Sequence, residues 1–116
     1  MNGKDPLVFI NHVLENISKI EKFSAGLTKE TLANKELQQY AIVRGIEVIG
    51  EAVKNIQASF KNKYPHVSWK DIAGTRDILI HHYFGVDLDI VWSIITNDLP
   101  RLKREFEKIK EDLLKK

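Results

Sequence analysis

Between positions 76 and 83 the chain reads Arg76-Asp77-Ile78-Leu79-Ile80-His81-His82-Tyr83, and three of these side chains could do chemistry together. Arginine carries a permanent charge and a planar fork of donors that matches a phosphate. Histidine titrates near neutrality and can move a proton to or from a hydroxyl. Arg76 and His81 would suffice for metal-free RNA cleavage. The ribose 2′-hydroxyl attacks the neighbouring phosphorus, His81 handles the proton, and Arg76 stabilises the charge developing on the phosphoryl oxygens. The same residues also admit plainer roles. Arg76 can pair with Asp77, Asp71 or a carboxylate of the second helix; His81 and His82 can be helix-end histidines; Tyr83 and Phe84 can be core aromatics.

A second polar set, Arg44, Glu47 and Glu51, falls at 3-4 spacing and so shares one helix face. It is either an ion-paired surface stripe or a wall that forms or orients the same pocket, a carboxylate holding Arg76 or an imidazole. Lys61, Lys63 and Lys70 either meet RNA phosphates or decorate a solvated loop. Trp69 and Trp92 read as packing residues.

Metal chemistry has little to work with. The chain has four histidines and no cysteine. His81 and His82 are adjacent, about 100° apart on a helix, and cannot easily share an ion. His12 and His66 lack a histidine four residues away. The phosphate-binding, dinucleotide, zinc-protease and nucleophile-elbow signatures are absent. The expectation is no metal site and no cofactor.

Geometry constrains the pair. Five residues along an α-helix amount to about 140° of rotation, so Arg76 and His81 diverge on a straight helix, whereas Arg76 and Tyr83 share a face. Either the helix loosens near its end, or a second subunit completes the pocket. The second option is favoured, which makes a homodimer part of the site.

The elements that must hold these residues are helical throughout. Asp5-Pro6 announces the first helix as cap and first turn. Leu7, Ile10, Leu14 and Ile17 supply its stripe, widened by Val13, Ile20 and Phe23, and Gly26 ends it. A long second helix is expected from about Thr31 to Phe60, with the seam Ile42, Ile46, Ile49, Val53, Ile56 and Phe60. Gly45 and Gly50 inside it mark close helix approach or a bend. Pro65 breaks the periodicity in a loop over 61–67. Ser68-Trp69-Lys70-Asp71 opens the third helix, which carries the 76–83 motif and closes near Gly85. Asp87 caps a short fourth helix, and Leu99-Pro100 starts the last. No stretch alternates with period two. The expected fold is an all-α, up-and-down bundle of four to five helices.

Length and composition agree. The 116 residues, 43% hydrophobic and 29% charged, fit one domain spanning 1–116. The net charge of +2 argues against a protein that coats nucleic acid and leaves room for a local RNA pocket. Apolar runs fall short of a membrane span and no signal peptide opens the chain, so a cytoplasmic protein is expected.

The spacing Arg76-x4-His81-x-Tyr83 resembles the signature of HepT-like toxins, a branch of the HEPN superfamily. Flanking blocks are similar too: Arg44-Gly45-Ile46-Glu47-Val48-Ile49-Gly50-Glu51-Ala52, Trp69 to Gly74, His82 to Asp87, and Val91-Trp92 through Asp98-Leu99-Pro100. The resemblance covers essentially the whole chain, in order. It implies a dimeric HEPN bundle acting as a metal-independent endoribonuclease toxin, beside a minimal nucleotidyltransferase antitoxin. It also implies that Arg76 and His81 are catalytic and that Tyr83 accepts AMP from the antitoxin. The position after the arginine is often Asn in this superfamily and is Asp77 here, a charge that repels phosphate yet can orient an arginine or imidazolium. A non-catalytic nucleotide-binding or interaction module partnering the transferase is the alternative.

Overall fold

Asp5 and Pro6 start the first helix as their types require. In the computed structural model, which describes residues 5–81 and 87–115 with backbone alone over 76–81, Asp5 Oδ1 accepts a hydrogen bond from the Leu7 amide at 3.0 Å. Pro6 occupies the first turn of α1 (Pro6–Ser24), where its missing N–H costs nothing. The helix ends at Gly26, whose φ of +76° lies in the left-handed region that a side chain disfavours. Ile10, Val13, Ile17 and Ile20 form the buried stripe, while Leu7 and Leu14 flank it and Phe23 is exposed.

The expected second helix over 31–60 is not one helix. It is divided into α2 (Lys29–Leu32), α3 (Glu36–Lys54) and α4 (Ala58–Lys61). Thr28 and Thr31 close a reciprocal capping box that begins α2. The chain then leaves the helix because the Gln39 amide donates to the carbonyls of Leu32 and Ala33, at 2.9 and 3.1 Å, replacing the partners a continuing helix would supply. At the far end, the Asn55 amide turns back to the Glu51 carbonyl at 3.0 Å, and Gln57 takes an extended conformation. This second break folds the chain around the core. Ile56 and Phe60 are 3% and 7% exposed, so the whole expected seam is buried although it does not lie on one rod.

α3 packs against α1 on one side and α5 (Trp69–His81) on the other. Gly45 marks a close approach of α1 and α3: a Cβ there would stand 2.9 Å from Cδ1 and Cγ1 of Ile20. Of the two readings offered by that glycine, close approach holds. Trp69 packs on Phe106, ring centroids 5.5 Å apart, and its indole N–H donates to the Tyr64 carbonyl at 2.9 Å. Phe106 is fully buried, which contributes about 2–3 kcal/mol of apolar transfer.

The fourth and last helices are continuous. Asp87 Oδ1 caps α6 (Leu88–Ser93) by accepting from the amides of Asp89 and Ile90. A π-helical turn over Ile94–Asp98 leads directly into α7 (Leu99–Leu114), which packs along α1. Pro100 explains the wide turn. It has no N–H to give, and its ring would clash with the carbonyl four residues back in a regular α-helix. The wider turn also keeps the buried face in register. Val91, Ile94, Leu99, Leu102, Phe106 and Ile109 step 3-5-3-4-3, and the step of five needs a five-residue turn.

Among the described residues the result is four long rods, α1, α3, α5 and α6–α7, with two single-turn helices, an all-α bundle. Among the described residues no helix is long and apolar enough to cross a membrane.

Candidate active site

α5 carries the motif, and its course decides one alternative left by the sequence. The helix is α-helical without interruption from Trp69 to His81. Arg76 and His81 therefore sit on a regular helix, about 140° and 7.5 Å apart along it, with no bulge between them. Asp77 lies on the same helix. The side chains of Arg76, Asp77 and His81 lie outside the description, as do His82 and Tyr83 entirely.

The second polar set is better placed. Arg44 and Glu47 face each other on α3, guanidinium to carboxylate at 3.8 Å, a loose ion pair rather than a close hydrogen bond. The Arg44 side chain is 75% exposed and Glu47 only 27%, so the arginine is the more accessible partner. At the surface such a pair contributes little to stability, about 0.3–0.5 kcal/mol.

These two residues line a cleft of about 550 Å³ together with Glu51, Asn55, Phe9 and His12. α1 and α3 run antiparallel here: Ile20 meets Gly45, while Phe9 and His12 lie beside Ala52 and Asn55. The ion-paired reading of Arg44 and Glu47 is thus correct, and they also form a cleft wall. Residues 69–75 of α5 do not line that cleft. His12, set aside in the sequence for want of a neighbouring histidine, stands on its rim because α1 and α3 mesh so closely. The signal was Gly45, which marks the approach but not what it brings alongside.

A second groove of about 770 Å³ runs along α5 from Lys70 through Gly74 to Thr75, facing the α6 end. Lys70, Asp71, Asp89 and Asp98 are its charged lining residues, and Asp89 is already paired with Lys29 at 2.7 Å. Among the described residues no group of three or more histidines and carboxylates is arranged to hold a metal ion.

Residues 13–109 match the family model described as ribonuclease HepT-like. Named relatives extend the similarity. The chain is 42% identical over 116 residues to a Methanocaldococcus jannaschii protein named "Putative RNase", covering all of both chains. It is 39% identical over 103 residues to the "Probable ribonuclease HepT" of Thermococcus cleftensis, covering 89% of this chain and 94% of the other. A third relative, also from M. jannaschii, is named "Gamma-glutamylcyclotransferase and putative RNase"; identity is 45% over 110 residues, which are 95% of this chain but only 50% of that protein. No solved structure gives a significant match.

Proposed function

The chain belongs to the ribonuclease HepT-like family, and we propose that it is a metal-independent endoribonuclease acting as the toxin of a toxin–antitoxin pair. The observation that carries this reading is the placement of Arg76 and His81 on one unbroken helix of a chain matched to that family over residues 13–109.

The mechanism follows from the two side chains. The 2′-hydroxyl of RNA attacks the adjacent phosphorus, forming a 2′,3′-cyclic phosphate as the P–O5′ bond breaks. His81 moves the proton, and the Arg76 fork binds the phosphoryl oxygens as charge builds on them. Because a regular α5 holds the two about 140° apart, a homodimer supplies the convergence: Arg76 of one protomer works with His81 of its partner across the axis. Arg44 and Glu47 form the supporting wall, and Asp77 orients one of the two cations.

Regulation is assigned to Tyr83. Its phenolic oxygen attacks the α-phosphorus of ATP on a minimal nucleotidyltransferase antitoxin, pyrophosphate leaves, and the resulting tyrosyl-AMP puts bulk and negative charge where RNA phosphate must bind.

The test is cleavage of a labelled single-stranded RNA by the purified full chain in excess chelator. Cleavage is expected to persist, and Arg76→Ala or His81→Ala to lose about 10²–10⁴-fold in rate. An active His81→Ala protein would remove histidine from its role, whereas a parent chain that cleaves no RNA would favour a non-catalytic module that partners the transferase.

A further inference from the structure

The connection from α3 to α5 has a composition unlike the rest of the chain. The seventeen residues from Lys54 to Lys70 hold four lysines, Lys54, Lys61, Lys63 and Lys70, and no acidic residue. The whole chain is only +2, so everything outside this segment is net −2. The positive charge is concentrated in one place, where it can act as a local electrostatic footprint.

The segment is also built rather than loose. α4 buries Phe60, and the Tyr64 ring packs on it with centroids 5.3 Å apart. The amides of Asn62, Lys63 and Tyr64 donate back to Ala58, Phe60 and Lys61 at 2.9–3.0 Å. Val67 is 4% exposed, and the Trp69 indole pins the Tyr64 carbonyl from the other side. On this knuckle Lys54, Lys63, His66 and Lys70 are exposed and Lys61 is half-buried. Among the described residues none of the four lysines is held in an ion pair, although four other cations are. Carboxylates stand at the edges: Asp112 beside the Tyr64 hydroxyl at 3.5 Å, Asp71 next to Lys70 in the chain and Glu51 one turn before Lys54 on α3.

Cations held in no ion pair among the described residues, on a backbone already fixed by its own hydrogen bonds, have no such partner to give up when a polyanion arrives. The exposed His66 ring, edge-on to Tyr64 at 6.4 Å, adds an aromatic face of the kind on which an unpaired base stacks. The segment leads straight into the motif helix. Lys70 to His81 is eleven residues of α5, about 16 Å. At 3.4 Å per stacked nucleotide that is about five nucleotides.

We propose that the Lys54–Lys70 segment is an RNA-backbone binding surface that holds single-stranded substrate about five nucleotides from the scissile bond. It rests on the ribonuclease reading, because the same RNA strand must reach Arg76 and His81. It also answers how a chain of nearly balanced charge grips a polyanion: through one local strip on the same subunit as the motif helix.

The test uses a fluorescein-labelled twelve-nucleotide single-stranded RNA and fluorescence anisotropy across a salt series. It is run in the full-length His81→Ala background so that binding is read without cleavage. Lys54, Lys63 and Lys70 are changed together to glutamine and, separately, to arginine; circular dichroism confirms that each variant is folded. The slope of log affinity against log salt should fall by about 2 in the glutamine variant, at about 0.7 per phosphate contact for single strands, and be restored in the arginine variant. Equal slopes and affinities in parent and glutamine variant would overturn the proposal, as would binding of an acidic protein but not of RNA. With His81 intact, the glutamine variant should raise KM for long RNA and leave kcat at saturation unchanged. Loss of the slope in a chain that cleaves no RNA would uphold the surface and sink the enzyme, so the two readings fail separately.

Discussion

A methyl group built on Gly45 would stand 2.9 Å from Cδ1 and Cγ1 of Ile20, a distance that real Cβ atoms essentially never show. Ile20 is 1% exposed and has little room to move. Gly45→Ala therefore loses about 1–3 kcal/mol to overpacking and recovers about 1 kcal/mol of helix propensity, for a net loss on the order of 1 kcal/mol. Gly74, with nothing within 4 Å of its Cβ position, is the internal control. Gly74→Ala should gain about 0.5–1 kcal/mol. Urea midpoints at one protein concentration should move in opposite directions; a stabilised Gly45→Ala would disprove the close contact.

Trp69→Phe keeps an aromatic ring against Phe106 but leaves the Tyr64 carbonyl without its indole donor. The Val67 amide still donates to that carbonyl at 3.2 Å, so the loss should be about 0.5–1.5 kcal/mol. Amide exchange at Lys63 and Tyr64 should accelerate, since their backbone hydrogen bonds belong to the turn that this contact pins. Unchanged exchange there would mean the turn is held by Phe60 alone.

Alkaline pH should weaken the fold through two groups. The Lys29 amine donates to Asp89 at 2.7 Å, and that hydrogen bond with the carboxylate's charge raises its pKa. Burial, with Asp112 adding to it, raises that of the Tyr64 phenol. Both groups have folded values above their unfolded ones, so their contribution is full below about pH 10 and is lost as pH rises through the folded values. Lys61, lowered by burial, acts in the opposite sense. In a tyrosine absorbance titration the Tyr64 phenol should ionise above the ordinary value of about 10. The stability difference between the parent and Asp89→Asn should shrink in high salt and at strongly alkaline pH; a difference indifferent to both would rule out the ion pair.

Incubation with the partner nucleotidyltransferase and ATP should add the mass of one adenylyl group per chain and abolish RNA cleavage. Tyr83→Phe should block the addition. A mass increase that survives this change places the acceptor elsewhere.

Much of the fold was legible because it is written locally. Asp5-Pro6, Gly26 and Asp87 each cap or end a helix through their own neighbours. The seam from Ile42 to Phe60 is buried as its spacing requires. The breaks on either side of α3 were not legible, because no proline or glycine marks them. Gln39 and Asn55 make them through amide hydrogen bonds to nearby carbonyls. Of the proposed site, Arg76 and His81 were visible by type and spacing, and Arg44 and Glu47 by sharing a face. His12 was not, since the cleft it joins exists only once α1 lies against α3.

The π-turn at Ile94–Asp98 makes the join between α6 and α7 a length lock. Removing one residue, Thr96 or Asn97, would shorten the step from Ile94 to Leu99 from five to four and let an uninterrupted α-helix present the same apolar face. Pro100 forbids that solution, because it would then stand in a helix interior at a cost of about 3 kcal/mol. The number of residues between Ser93 and Leu99 and the proline that follows them are therefore coupled. The chain can shed the extra residue only by changing the proline as well, so evolutionary drift in the length of this helix must proceed through two alterations and not one.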